Sequence, residues 1–331
     1  MRVIFVFLLL LHISCSSHAQ DNLTPKKYVE EVLKIIEKHS IRKDSIDLKK
    51  IRTNAYAQVS SAKSIEDCYS IVRSILYELN DHHSFFMTKE DTKAWKSTST
   101  TKSIFTKEEN PFTGKVVNDN IGYINMKGFD SGDSISILEY SNKLQALIKL
   151  LDNKKIKGWI LDLRQNGGGN CWPMLTGIGP LLGDGICGYF INNNNIKSSW
   201  FYKEGAAGIE SNEFVKISGK PCALIKKENP IAVLTGANTA SSGEVVVTAF
   251  RQKGNAKSFG EPTAGLSTGN ANYNLSDGSI LVLTTSVYAD RKGNRYGGRI
   301  VPDSSVKFSY QEIDTDNDQV IKSAIDWIYK Y

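Results

Sequence analysis

Residues 159–169 read Trp159-Ile160-Leu161-Asp162-Leu163-Arg164-Gln165-Asn166-Gly167-Gly168-Gly169. The first part is an apolar run of strand length that breaks into glycines, the pattern of a buried strand running into a turn. Consecutive glycines allow positive φ and close backbone approach, which is how N–H groups are aimed at an anion. On the glycines alone, a flexible strand-to-helix turn fits equally well. No Gly-Lys-Ser/Thr follows, so a phosphate-binding loop is excluded.

The flanking sequence repeats the theme. Ile121 to Met126 reads as a strand, and the stretch from about Ile135 to Leu151 as a helix with Leu144, Leu147, Ile148 and Leu151 on one face. Ile231 to Thr235 reads as another strand, followed by a helix from about Ser242 to Gln252. Alternating strand and helix signals predict an α/β fold. Near the end, Asp277-Gly278 marks a hairpin turn before strand-like Leu281 to Val287, and a helix from about Asp318 to Tyr329 closes the chain. Upstream, residues 24–79 read as helical. Thr24 caps a helix with Pro25 at its first position, and Val29, Val32, Leu33 and Ile36 share one face. Ser64 opens another, with Cys68, Tyr69, Val72, Ile75, Leu76 and Leu79 buried. Residues 90–115 are polar and read as a loop or weak strands.

The 331 residues are 40% hydrophobic and 23% charged, with 26 Gly and 8 Pro, a composition that excludes disordered, collagenous and disulfide-dense chains. The net charge of +6 is spread without a basic run, so nucleic acid is not expected as a partner. Residues 1–19 read as a secretory leader: Arg2, the apolar run Val3 to Leu11, then Ser17-His18-Ala19 before a cleavage point at Gln20. The run is too short to span a bilayer, and no later one approaches the ~20 residues required. Lipidation at Cys15 competes with plain cleavage, although His12 stands where that signal wants an aliphatic residue. The expected location is periplasmic or extracellular. Cys68, Cys171, Cys187 and Cys222 allow three disulfide pairings, which sequence cannot choose among. Buried free thiols are the plainer reading.

Further segments could carry chemistry. Thr239-Ala240-Ser241-Ser242-Gly243-Glu244 lies between a strand and a helix start, where a hydroxyl can face solvent beside free backbone N–H groups. Helix capping by Ser241 or Ser242, with Glu244 completing the box, explains the same residues. Beyond residue 19 the histidines are His39, His82 and His83, so a histidine base must come from these. Adjacent His82 and His83 are a poor metal site. Asp314 to Asp318 lacks the Gly and Glu of a calcium loop and reads as a helix cap.

Taken in order, these pieces resemble the serine peptidase family of C-terminal processing (tail-specific) and tricorn proteases. The resemblance rests on Leu79-Asn80-Asp81-His82-His83-Ser84, on Ile160 to Gly169, and on Thr239 to Glu244. It continues through Gly260-Glu261-Pro262-Thr263-Ala264-Gly265, Leu275 to Ser279 and Gly298 to Asp303. It implies a core of the ClpP/crotonase type, a spiral of ββα units, with a small N-terminal α-helical subdomain. The implied division is 1–19 leader, 20–80 helical subdomain and 81–331 catalytic domain.

Two departures matter. Where the tail-specific branch has its catalytic Lys this chain has Leu266, and only about 33 residues separate Ser84 from Asn118, too few for a PDZ domain of roughly 80–100. Both are similar to the tricorn-core and retinoid-binding-protein-like branch, where a His replaces the Lys. The resemblance then makes Ser241 the nucleophile, His83 its general base, and the N–H groups of Gly168 and Ser242 the oxyanion hole. The choice among the three glycines is open by one residue. Asp81 or Glu244 could orient the histidine. The implied reaction is peptide-bond hydrolysis through an acyl-enzyme, with a peptide or protein substrate and no cofactor or metal. An unperturbed imidazole would lose activity as pH falls through roughly 6 to 7. Substrate preference could lie in the helical appendage, the 90–115 stretch or Trp200-Phe201-Tyr202. The rival is a non-catalytic small-ligand-binding protein on the same fold.

Overall fold

In the computed structural model the described residues are 23–97 and 110–331. The leader 1–19 with Cys15, its junction at Ala19-Gln20, and residues 98–109 of the polar stretch lie outside them.

The chain begins with helices α1 (Pro25–His39), α2 (Leu48–Val59) and α3 (Cys68–Leu79). Thr24 caps α1 by accepting from Lys27 N at 3.3 Å, and Asp47 caps α2. Asn80 ends α3 in the left-handed region at φ 52°. The apolar faces of these helices form a cluster of their own around Tyr28, Val32, Ile36, Val72 and Leu79.

Next come β1 (Phe85–Met87), α4 (Lys89–Ser97), β2 (Phe112–Val117), β3 (Ile121–Met126), α5 (Ser134–Leu151) and β4 (Gly158–Asp162). Then α6 (Cys171–Gly177) and α7 (Gly179–Leu182) lead to β5 (Gly185–Asn192), β6 (Lys197–Lys203), β7 (Ala206–Ile209) and β8 (Asn212–Lys216). The last third holds β9 (Ile231–Thr235), α8 (Ser242–Phe250), β10 (Ala256–Gly260), β11 (Thr268–Asn274), β12 (Ile280–Ala289), β13 (Ser304–Ser305) and α9 (Gln319–Lys330).

These strands make two sheets. One runs β13-β10-β9-β4-β3-β2, parallel except for β2, which pairs antiparallel with β3. Every residue of β4 and β9 is buried, because helices cover both faces. Ile121, Tyr123, Ile160 and Leu234 meet Val320, Ala324 and Ile328 of α9. On the other face Ile124, Leu161 and Val233 meet Tyr140, Leu144 and Ile148 of α5 and Val246 of α8. The second sheet is antiparallel, ordered β1-β12-β5-β6-β7-β8, with β11 also paired to β12. Leu281 and Leu283 of β12 close the helical cluster.

The strands over 185–216 were not expected. They are interrupted by register shifts at Ile186/Gly188 and Ala207/Gly208, which break the alternation that marks a strand. Their placement corrects one expectation: Trp200 and Tyr202 are buried in the core and are not available to choose a substrate. Part of the polar stretch is helical, as α4, and its end forms the start of β2.

A buried ion network ties β4 to α9. Arg164, fully enclosed, bonds Asp162 at 2.6 Å and Asp318 at 2.7 Å, and the Tyr123 hydroxyl donates to Asp162 at 2.9 Å. Asp318 also caps α9 through Val320 N and Ile321 N, so the acidic run near 314–318 is a helix start. The network anchors the end of β4, where the glycine loop begins.

Candidate active site

Ser241 follows β9 and caps α8 at φ 50° and ψ −114°, a strained conformation for a residue with a side chain. The turn is held by Glu244, whose Oε2 accepts from Ser241 N at 2.9 Å. Its Oε1 accepts from the Thr263 hydroxyl and, at 3.1 Å, from Gly265 N. Glu244 has no exposed surface, and burial pushes its pKa up against these hydrogen bonds. A sharp strand-to-helix turn of this kind presents a serine hydroxyl at the sheet edge beside a helix N-terminus.

His83 reaches the serine from the turn after α3. Its Nε2 lies 3.0 Å from Ser241 Oγ. Asp81 shapes this turn, accepting from His83 N at 2.9 Å and Ser84 N at 2.7 Å with one oxygen and from Ser84 Oγ at 2.6 Å with the other. His82, at φ 57°, is exposed. Burial lowers the His83 pKa below its ordinary value of 6.5, and the Asp81 charge opposes the shift.

Neither carboxylate bonds the imidazole. Asp81 holds the His83 main chain and Glu244 holds the Ser241 main chain, so neither orients the ring as expected. The partner of Nδ1 is Thr268 Oγ1 at 2.7 Å. Thr268 was not anticipated; the only signal was its place two residues beyond Leu266, where the related branch has its lysine.

The glycine loop lies against the serine. A Cβ on Gly168 would fall 2.9 Å from Ser241 Cβ and 3.2 Å from Ser242 N. Its N–H, however, donates to Asn166 Oδ1 at 3.0 Å, which corrects its assignment as an oxyanion donor. Gly169 turns toward α8, its carbonyl accepting from Ser242 Oγ at 2.5 Å. Tyr288, also unanticipated, abuts Ser241 and Glu244 from β12, and burial raises its phenol well above the usual range.

Cys68, Cys171, Cys187 and Cys222 are all free thiols. Among the described residues no group of His, Cys, Asp and Glu is arranged to hold a metal ion. Nor is any helix among them long and apolar enough to cross a membrane.

A strained serine at a strand–helix junction, paired with an imidazole and flanked by a glycine loop, is the arrangement of a serine hydrolase. The model for peptidase family S41 matches residues 120–306, and the chain belongs to that family. The matched span includes Gly168, Ser241 and Thr268 and begins after His83. The nisin-resistance protein of Lactococcus lactis subsp. lactis is 30% identical over 92% of this chain and 87% of its own length. A lipoprotein structure from Streptococcus agalactiae superposes with TM-score 0.71 at 24% identity, covering 99% of both chains. A photosystem II D1 C-terminal processing protease does so with TM-score 0.59 at 16% identity, covering 86% of this chain and 94% of its own. The fold is thus the α/β fold of the ClpP/crotonase type shared by such peptidases.

Proposed function

We propose that the chain is an exported serine endopeptidase working through an acyl-enzyme on Ser241. The observation that carries this reading is the 3.0 Å approach of His83 Nε2 to the hydroxyl of a strained serine. His83 takes the Ser241 proton as Oγ attacks the substrate carbonyl carbon, and the imidazolium returns that proton to the leaving amine. Water, deprotonated by the same nitrogen, then releases the acyl group. The N–H groups of Ser242 and Gly169 receive the oxyanion in this reading: neither makes another hydrogen bond among the described residues, Ser242 follows the nucleophile, and Gly169 follows the glycine packed against it. No step of this cycle calls for a metal or an organic cofactor.

Residues 1–19 act as the export signal in this reading, 20–80 form the helical subdomain, and 81–331 carry the chemistry. The Streptococcus agalactiae match is described as a lipoprotein, which favours an anchor on Cys15 as the alternative to cleavage before Gln20. Intact-mass analysis of the native protein separates the two. A relative named for nisin resistance makes nisin the first substrate to try.

The test is labelling with a fluorophosphonate probe followed by peptide mapping. The label should fall on Ser241 and vanish in Ser241→Ala, while Ser242→Ala retains it. A folded wild type that never labels overturns the enzyme reading and favours the ligand-binding one.

A further inference from the structure

We propose that Thr268 is the positioning residue for His83, an uncharged hydroxyl standing where a serine hydrolase of the triad type has a carboxylate. This rests on the Ser241–His83 reading. When Nε2 takes the serine proton, both ring nitrogens become donors, and Nδ1–H then needs an acceptor. Thr268 Oγ1, at 2.7 Å, is the partner that the described residues provide. A hydroxyl fixes the ring and receives its N–H without supplying the counter-charge that a carboxylate gives the imidazolium.

The placement of Thr268 is built into the sheet. The β11–β12 register slips between Gly269 and Asn270, a bulge of the kind that re-aims side chains beside active sites. A Cβ on Gly269 would lie 2.4 Å from Ser286 Oγ, so any larger residue there would displace that hydroxyl. Beyond the bulge, Asn270 Nδ2 donates to the His83 carbonyl at 3.0 Å, and Asn270 Oδ1 accepts from Thr284 Oγ1 at 2.9 Å. Thr284 N in turn donates to Ser84 Oγ at 2.9 Å. β11 therefore grips His83 at both its ring and its main chain.

The charge that reaches the ring is that of Asp81, on its own turn. From β11 it meets Thr268 and from the start of α8 it meets Ser241, both neutral. Glu244 of α8 and the Tyr288 phenol of β12 lie against Ser241. A new carboxylate at position 268 would thus be the charge in direct contact with the ring.

The experiment uses the full chain and its Thr268→Val, Thr268→Ser and Thr268→Asp variants. It measures fluorophosphonate labelling rate against pH, and histidine titration by NMR with His39 and His82 as internal controls. Thr268→Val should slow labelling about tenfold, less than the ~10²-fold or more expected for loss of the base. Thr268→Ser should keep most of the wild-type rate. The His83 titration should move down in Thr268→Val and up in Thr268→Asp, carrying the acid limb of the labelling profile with it. Wild-type rate and titration in Thr268→Val, or a serine variant as impaired as the valine one, would overturn the assignment. A His83 titration unmoved in Thr268→Asp, with labelling intact, sinks the role of Thr268 alone. A wild type that never labels sinks the catalytic reading beneath it.

Discussion

Gly168 and Ser241 stand so close that a methyl group on the glycine would lie 2.9 Å from the serine Cβ. Gly168 is also at φ 103°, where a side chain is strained whatever the space. The loop and the nucleophile therefore form one packed unit, and the glycine is needed for its missing atoms rather than for its N–H.

Gly168→Ala should reduce fluorophosphonate labelling by about 10²-fold, the scale on which a displaced oxyanion donor acts. Gly167→Ala is the control: it has nothing within 4 Å of its would-be Cβ. It should label at close to the wild-type rate. Equal labelling of both variants and wild type would show that the loop does not constrain the serine.

The two histidines should separate cleanly. His83→Ala should cost at least ~10²-fold in kcat, while His82→Ala, altering an exposed side chain, should stay near wild type. The acid limb should lie below the ordinary imidazole value of 6.5, since burial lowers the His83 pKa. The sign follows from the role: a base must be neutral, and a lowered pKa keeps it neutral to lower pH. This moves the loss of activity downward from the range of about 6 to 7 that an unperturbed ring implies. A profile of kcat/KM against pH checks it, and an acid limb above 6.5 would contradict the burial of the ring.

Arg164→Met should destabilise the fold by about 3–5 kcal/mol in urea unfolding, because it leaves Asp162 and Asp318 buried without their cation. Labelling should fall along with stability, since the glycine loop starts two residues beyond Arg164. A loss under about 1 kcal/mol would mean that water reaches the pair, as it does at surface ion pairs.

What was legible in the sequence depended on neighbours along the chain. The apolar runs of β4 and β9, the caps at Thr24 and Asp318, the Asp277-Gly278 turn and the glycine loop each carry their cause within a few residues. The Ser241-Ser242 and His82-His83 pairs stood out for the same reason, each following a local element end, but the resemblance to the peptidase family was needed to choose Ser241 and His83 within them. Fold class followed because strand and helix periods alternate along the chain, and period is a local property.

Tertiary structure decided the rest, through contacts that no local pattern encodes. Thr268 meets His83 across 185 positions of chain, from a strand whose register slips just beyond it, between Gly269 and Asn270. Asn166 takes the Gly168 N–H because the loop folds back on itself, which leaves Gly169 facing the serine helix. Trp200, a candidate for choosing the substrate by sequence, is placed in the core by β6. A side chain's chemistry is intrinsic, but its hydrogen-bond partner and its face of the sheet are set by strand register. Register is fixed by long-range packing, where a slip of one residue exchanges every inward side chain for its neighbour.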